Sequence, residues 1–245
     1  MNKLFFSTML LVLLSAASTN AAGQFPTDVI KTSSGDLKIT FIGHASLIFS
    51  FNGKIFHVDP FSKLADYATL PKADVIIITH EHGDHLDPAA IGKIRTEKTK
   101  VVLTGTAAKQ FPGGIVMKNN DVQIVEGVTI EAVPAYNIVH KRDTGEPFHP
   151  KGAGNGYIMA FGDKRVYVAG DTENIPEMAG FKNIDIAFLP MNLPYTMTPE
   201  MTAAAAKMVQ PKILYPYHYG STDTSLLMAL LKDHKGIEVR IRKME

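Results

Sequence analysis

The chain has no cysteine in its 245 residues. That absence rules out disulfides and thiolate ligands, so any metal site must be built from His, Asp and Glu, whose donors suit zinc and also manganese or iron. An excess of charge of one sign is also lacking: 25 Lys and Arg stand against 24 Asp and Glu. No basic field therefore points to nucleic acid and no acidic tail to a charged partner, which leaves a small-molecule substrate as the expected partner. There is no Gly-rich phosphate loop, serine-nucleophile motif or dinucleotide fingerprint to support a rival mechanism. No low-complexity tract or Pro/Gly/Ser-rich linker divides the chain, and 45% hydrophobic content is enough to bury a full core.

Long apolar runs are confined to the N-terminus. Lys3 precedes an almost wholly apolar stretch from Leu4 to Leu14, and Ser15 to Ala22 is small and polar with cut points after Ala21 or Ala22. This is the pattern of a secretory signal peptide. The run falls short of the roughly 20 residues that span a bilayer, so no stable membrane span is expected after cleavage. The expected organisation is a signal peptide over residues 1–22 and a single domain over residues 23–245, exported to the periplasm or secreted.

From Leu37 apolar and polar residues alternate through "LKITFIGHASLIFSFNGKIFHVDP", with Asn52-Gly53 as a two-residue hairpin turn. Further β runs are expected at 75–79, 101–104, 122–125, 129–134, 156–161, 165–169, 184–189, 213–217 and 237–241. Helices are expected over 88–95, 199–209 and 225–235; in the second, Thr198 can cap, Pro199 suits the first turn and Pro211 forbids extension. Hairpins come early and strand-helix-strand units late, which indicates a layered α/β domain. The irregular stretch from Asn137 to Asn155 is too long for a plain connection, and such loops are usually functional or mobile.

The chemistry concentrates in "THEHGDHLD", residues 79 to 87, directly after an apolar strand. His80 and His82 can serve one cation while Asp84 and His85 reach a second, with Gly83 letting the backbone bend between them. Two metals need more ligands than one turn supplies. Two later strands end in the same way, "VYVAGDTE" at Asp171 and "ILYPYHYG" at His218. Taken alone, Asp171 reads equally as a turn carboxylate, and His218 reads first as a structural histidine; their recurrence at strand ends is what points to a site.

These motifs in this order, with the early "DP" at Asp59, resemble the metallo-β-lactamase-fold hydrolase superfamily from Leu37 to the C-terminus. "GHAS" at 43 to 46, "VPAYN" at 133 to 137 and "PEMTAAAAKMVQPKILYPYHYG" resemble its L-ascorbate-6-phosphate lactonase-like and N-acylphosphatidylethanolamine phospholipase D-like branch. The resemblance implies a four-layer αβ/βα sandwich with a dinuclear site at one edge. His80 and His82 would belong to the first metal, Asp84, His85 and His218 to the second, Asp171 would bridge them, and Asp59 would hold the histidine loop from behind. Where many relatives carry the third histidine of the first site, this chain has Tyr136-Asn137. His149, stiffened by Pro147 and Pro150, is the preferred replacement; His140 is the other candidate, and Asn137 could ligate weakly through its oxygen.

The implied activity is hydrolysis of an ester, lactone, amide or phosphodiester by a metal-activated, bridging hydroxide. Two cations roughly 3.5 to 4 Å apart lower the pKa of a shared water toward neutrality. Asp171 would set their separation and Asp84 would orient the nucleophile or take its proton. His44 is either a proton shuttle or substrate contact in the cleft, or a hydrogen-bonding support beneath it. Zinc is the expected metal. Phe148, Tyr157 and Tyr195 are candidates to line the cleft or to pack under it. The alternative from a different class is an exported metal-binding protein without turnover, motivated by Asn137 at the missing ligand. A redox-active di-iron centre is disfavoured by His82, where relatives of that type carry a carboxylate.

Overall fold

The computed structural model describes residues 25–244; residues 1–22, read above as a signal peptide, lie outside them. The first sheet runs in chain order: β1 (Thr27–Thr32), β2 (Gly35–Gly43), β3 (Ser46–Phe51), β4 (Lys54–Val58), β5 (Val75–Ile77), β6 (Lys100–Leu103) and β7 (Ile115–Val116). Its first four strands pair antiparallel and the rest parallel. The second sheet repeats that plan with β8 (Val122–Val125), β9 (Val128–Ala135), β10 (Gly154–Phe161), β11 (Lys164–Val168), β12 (Ile186–Pro190), β13 (Ile213–Tyr217) and β14 (Glu238–Val239). Here β8 to β11 are antiparallel and β11 to β14 parallel.

The two sheets face each other across an aromatic core. Phe41 of β2 meets Tyr215 of β13 with ring centroids 5.0 Å apart, and Phe49 of β3 meets Phe161 of β10 at 5.5 Å. Strand β5 shows why a parallel central strand reads as an unbroken apolar run. Val75 and Ile77 point into the inter-sheet core, while Ile76 and Ile78 point outward onto Ala90, Ile91 and Ile94 of α1 (Pro88–Ile94) and Ala107 of α2 (Gly105–Gln110). On the far side, α3 (Pro199–Val209) packs over β12 and against α4 (Thr224–Leu231). The result is the expected αβ/βα sandwich. No helix among the described residues is long and apolar enough to cross a membrane.

Local signals acted as their chemistry dictates. Asn52 and Gly53 both take positive φ, 48° and 75°, as the tight turn between β3 and β4 demands. The Thr198 hydroxyl accepts from the Met201 N–H at 3.1 Å to start α3, and Gln210 ends it in the left-handed region. Elsewhere tertiary contacts override pattern. The strand expected over 237–241 pairs only at Glu238–Val239, after which Arg242 is drawn to Asp28, with Nη2 2.7 Å from both carboxylate oxygens. Strand β1, which carries Asp28, lies outside the expected strands: none of its six residues is buried, and in TDVIKT the apolar Val29 and Ile30 are adjacent and do not alternate with polar residues.

His57 on β4 is buried, with Nε2 3.0 Å from the Pro71 carbonyl. Burial pushes its pKa down from 6.5 to about 4, against the small opposing effect of that hydrogen bond. Between those values the unfolded chain binds a proton that the folded chain refuses, so stability falls as pH drops through this window. The full loss is about 3 kcal/mol. Urea melts at pH 7 and pH 4 should show the wild type losing about that much more stability than His57→Gln; parallel losses in the two proteins would refute the assignment.

Candidate metal centre

The site lies at the carboxyl ends of the central strands, where open α/β sheets place their ligands. Asp59 follows β4, His80 to His85 follow β5, Asp171 follows β11, and His218 follows β13; His44 occupies the β2–β3 turn and His149 the long β9–β10 loop. Three of these non-glycine residues hold positive φ: His44 (51°), Asp59 (43°) and His218 (46°). Such conformations persist where surrounding contacts over-determine them, and they cluster at functional sites. Gly170 (φ 67°) precedes Asp171 for a steric reason as well. A Cβ there would stand 2.9 Å from the Asn155 carbonyl oxygen and 3.0 Å from Thr79 Cβ.

Asp59, fully buried, anchors the histidine loop. Its Oδ1 accepts from the Thr79 N–H (2.8 Å), and its Oδ2 accepts from the Thr79 hydroxyl (2.6 Å) and from His85 Nδ1 (2.8 Å). The Thr79 hydroxyl also stands 3.1 Å from His80 Nδ1. With their Nδ1 atoms engaged, His80 and His85 turn Nε2 toward the cleft. His80 Nε2 then lies 3.1 Å from His82 Nδ1.

Two convergent sets of donors result. His80, His82 and His149 bring ligating atoms within 4.8 Å of one another, and so do His44, Asp84, His85 and His218. Asp171 stands between them. Its Oδ2 is 3.3 Å from His149 Nε2 and 3.9 Å from His80 Nε2, while its Oδ1 is 3.5 Å from both His85 Nε2 and His218 Nε2. Asp84 Oδ2 lies 3.0 Å from His44 Nε2, 3.7 Å from His218 Nε2 and 3.8 Å from His85 Nε2.

Nε2 of His85, His149 and His218, and Oδ1 of Asp171, are buried with no hydrogen-bond partner among the described residues. Each such orphan costs about 1–3 kcal/mol, and one or two divalent cations would satisfy all four. The residues fit a metal centre on this ground. At His80, His82, Asp84 and Asp171 the electrostatics agree. Burial, then the neighbouring His85, drives His80 well below the usual imidazole range; burial, then His149, lowers His82. Both rings therefore present neutral lone pairs. Burial would raise Asp171, yet His218 and His85 hold it well below the usual carboxylate range, and His218 and His44 do the same for Asp84. His85 is raised despite burial, by Asp171 and then Asp59.

The structure brings His149, and not His140, beside His80 and His82, with ring centroids 4.9 and 5.0 Å away. Asn137 faces the back of that imidazole. Its Oδ1 lies 2.6 Å from His149 Nδ1 and accepts the His149 N–H at 2.9 Å, so it orients the ring and is not free to ligate. Glu173, to which the sequence reading assigned no role, holds this arrangement. Its buried carboxylate accepts the N–H groups of Ile138, Val139 and His140 at 2.6 to 2.7 Å, lies 2.7 Å from His140 Nδ1, and accepts from Asn137 Nδ2 at 3.2 Å. These N–H groups keep it ionised against the opposing effect of burial.

A cleft of about 370 Å³ opens over the centre, walled by Arg142, Phe148, Asn192 and Tyr195. Tyr157 is not part of it: the ring is buried and its hydroxyl donates to the Ile78 carbonyl at 3.1 Å. His234 is exposed, in the turn that follows α4, and belongs to none of these donor sets. Asn137→Ala should weaken metal binding by about 10–100-fold, the usual consequence of removing the group that orients a ligating imidazole. Competition with a chromophoric chelator reads this directly, and an unchanged affinity would show that His149 needs no orientation from Asn137.

Comparison with known proteins follows the same lines. Residues 38–218 match the Beta-lactamase superfamily domain. A crystal structure of a candidate metal-dependent hydrolase from Parabacteroides distasonis is 52% identical, covers 90% of this chain and 100% of its own, and superposes with a TM-score of 0.86. A UPF0173 metal-dependent hydrolase from Thermococcus kodakarensis is 32% identical over 202 residues, 76% of this chain and 85% of that protein. A metallo hydrolase from Ignicoccus hospitalis, 24% identical over 85% of this chain and 96% of its own, shares the fold with a TM-score of 0.70. A profile spanning most of the described strands, and relatives matched over most of their length, establish that this chain belongs to the metallo-β-lactamase-fold hydrolase superfamily.

Proposed function

We propose that the protein hydrolyses an ester, lactone, amide or phosphodiester bond with two divalent cations, zinc by the nature of the donors. His80, His82 and His149 would hold one and Asp84, His85 and His218 the other, with Asp171 shared. The observation that carries this reading is that the two oxygens of one buried carboxylate face two separate histidine sets. When bound, the cations supply Lewis acidity, activating water and polarising the scissile carbonyl or phosphoryl oxygen.

The remaining chemistry belongs to the side chains. Asp84, part-exposed on the cleft, is placed to orient the attacking water or to take its proton. His44, 3.0 Å away and also lining the cleft, can relay that proton to the leaving group. Asp59 and Asn137 fix the rings of His85 and His149, which limits reorganisation during the reaction. The metal-dependent hydrolases among the relatives support this activity, and "GHAS" and "VPAYN" support a place in the lactonase-like branch. Residues 1–22 support export, and N-terminal sequencing of the protein recovered from its native host tests that: a start at Ala22 or Gly23 is expected, and Met1 or Asn2 refutes it.

Plasma mass spectrometry should find about two equivalents of zinc in the wild type, about one in His149→Ala and two in His140→Ala. Chelation should abolish ester hydrolysis and zinc should restore it. Retention of two metals with no turnover of any ester, lactone, amide or phosphodiester would favour the metal-binding protein without catalysis.

A further inference from the structure

The cleft has two kinds of wall. On one side stand the donors of the metal centre, with Asp84 and Asp171 turned toward histidines. The other side is formed by Arg142, Phe148, Asn192 and Tyr195, and among these Arg142 carries the one fixed charge. Its guanidinium lies 5.1 Å from the Phe148 ring centroid, and the Phe148 ring meets Tyr195 edge-on at 5.1 Å. Nη2 makes a single long hydrogen bond, 3.4 Å, to the Phe148 carbonyl. No carboxylate among the described residues stands within ion-pair distance, although Asp143 and Glu146 share the same loop. Most of the five donors of this guanidinium are therefore available to a bound molecule.

The arm that presents Arg142 is built rather than loose. Glu173 clamps its root through three backbone N–H groups. Beyond them Lys141 bridges Pro147, the Arg142 N–H donates to the Glu146 carbonyl at 2.8 Å, and the Gly145 N–H donates to the Arg142 carbonyl at 2.8 Å. The same arm ends in His149, so the position of Arg142 relative to the metal centre is set by a short, hydrogen-bonded hairpin. A planar guanidinium resting on an aromatic face pays little further entropy to grip two coplanar oxygens.

Resting on the hydrolase reading above, we propose that Arg142 determines specificity: the substrate carries an anionic group, a carboxylate or a phosphate, on an apolar frame that lies against Phe148 and Tyr195. The anion sits on the arm while the scissile bond reaches the metal centre. Carboxylate and phosphate share the paired oxygens that a guanidinium recognises, and binding experiments separate them.

Calorimetric titration of the zinc-loaded protein with glutarate and with phenyl phosphate compares wild type, Arg142→Lys and Arg142→Gln. The preferred anion should bind wild type about tenfold or more tightly than Arg142→Gln, with Arg142→Lys between, because lysine keeps the charge and loses the fork. The anion with the larger loss identifies the group. Equal affinities of wild type and Arg142→Gln for both anions, or no binding of either to wild type, overturn the proposal. In parallel, the ratio of kcat/KM for mono-(4-nitrophenyl) glutarate over 4-nitrophenyl acetate should fall in Arg142→Gln, and an unchanged ratio counts against the assignment. If neither ester is turned over while Arg142-dependent binding persists, the anion site stands, and the hydrolase reading fails only when lactones, amides and phosphodiesters carrying the preferred anion are inert as well.

Discussion

One buried carboxylate organises the site. Asp59 sits at the end of a central strand in a left-handed conformation and spends its two oxygens on three donors from the histidine loop: the Thr79 amide, the Thr79 hydroxyl and His85 Nδ1. A buried carboxyl group in that position is tolerable only because those donors replace its water. In return, it fixes which nitrogen of His85 faces the cleft, and through Thr79 it sets the orientation of His80. Both sets of donors therefore depend on a residue that faces neither.

The sheets meet at this point. The Asn155 N–H of the second sheet donates to the Thr79 carbonyl at 2.9 Å, the Tyr157 hydroxyl to the Ile78 carbonyl, and the His218 N–H to the His44 carbonyl at 2.8 Å. Each bond joins a residue at or just beyond a strand end of the first sheet to the second sheet. Because the two sheets share one plan, Asp59 after β4 and Asp171 after β11 come from corresponding strands. One copy of the plan thus supplies the carboxylate behind the histidines and the other supplies the carboxylate between them. The inter-sheet aromatic core fixes the distance across which they act, which makes packing far from the cleft part of the geometry of the centre.

A similar division applies to the arm from Asn137 to His149. Its root is held by Glu173, two residues beyond Asp171, so the turn that places the shared carboxylate also places the clamp for the third histidine. His140, a rival candidate for the first set of donors, is held at the clamp by its own N–H and ring nitrogen. Asn137 supplies support from behind the ring instead of a ligand atom. The departure from the superfamily pattern at Tyr136-Asn137 is thus met by a histidine twelve residues later that approaches from the loop.

What the sequence determined by itself was whatever is local. The layered α/β class, the Asn52-Gly53 hairpin, the capped helix at 199–209 and the cluster from His80 to His85 follow from periodicity, turn chemistry and spacing over a few residues. Asp171 and His218 were visible because each follows an apolar run at a strand end. Tertiary structure alone decided the rest: β1 and its ion pair with the C-terminal arginine, the choice of His149 over His140 and Asn137, the clamp at Glu173 and the open donors of Arg142. For the ion pair and the clamp the deciding partners are far apart in the chain, 36 residues from Asn137 to Glu173 and 214 from Asp28 to Arg242. No propensity or spacing rule encodes such pairs; only folding of the two sheets onto one core brings their atoms within hydrogen-bonding distance.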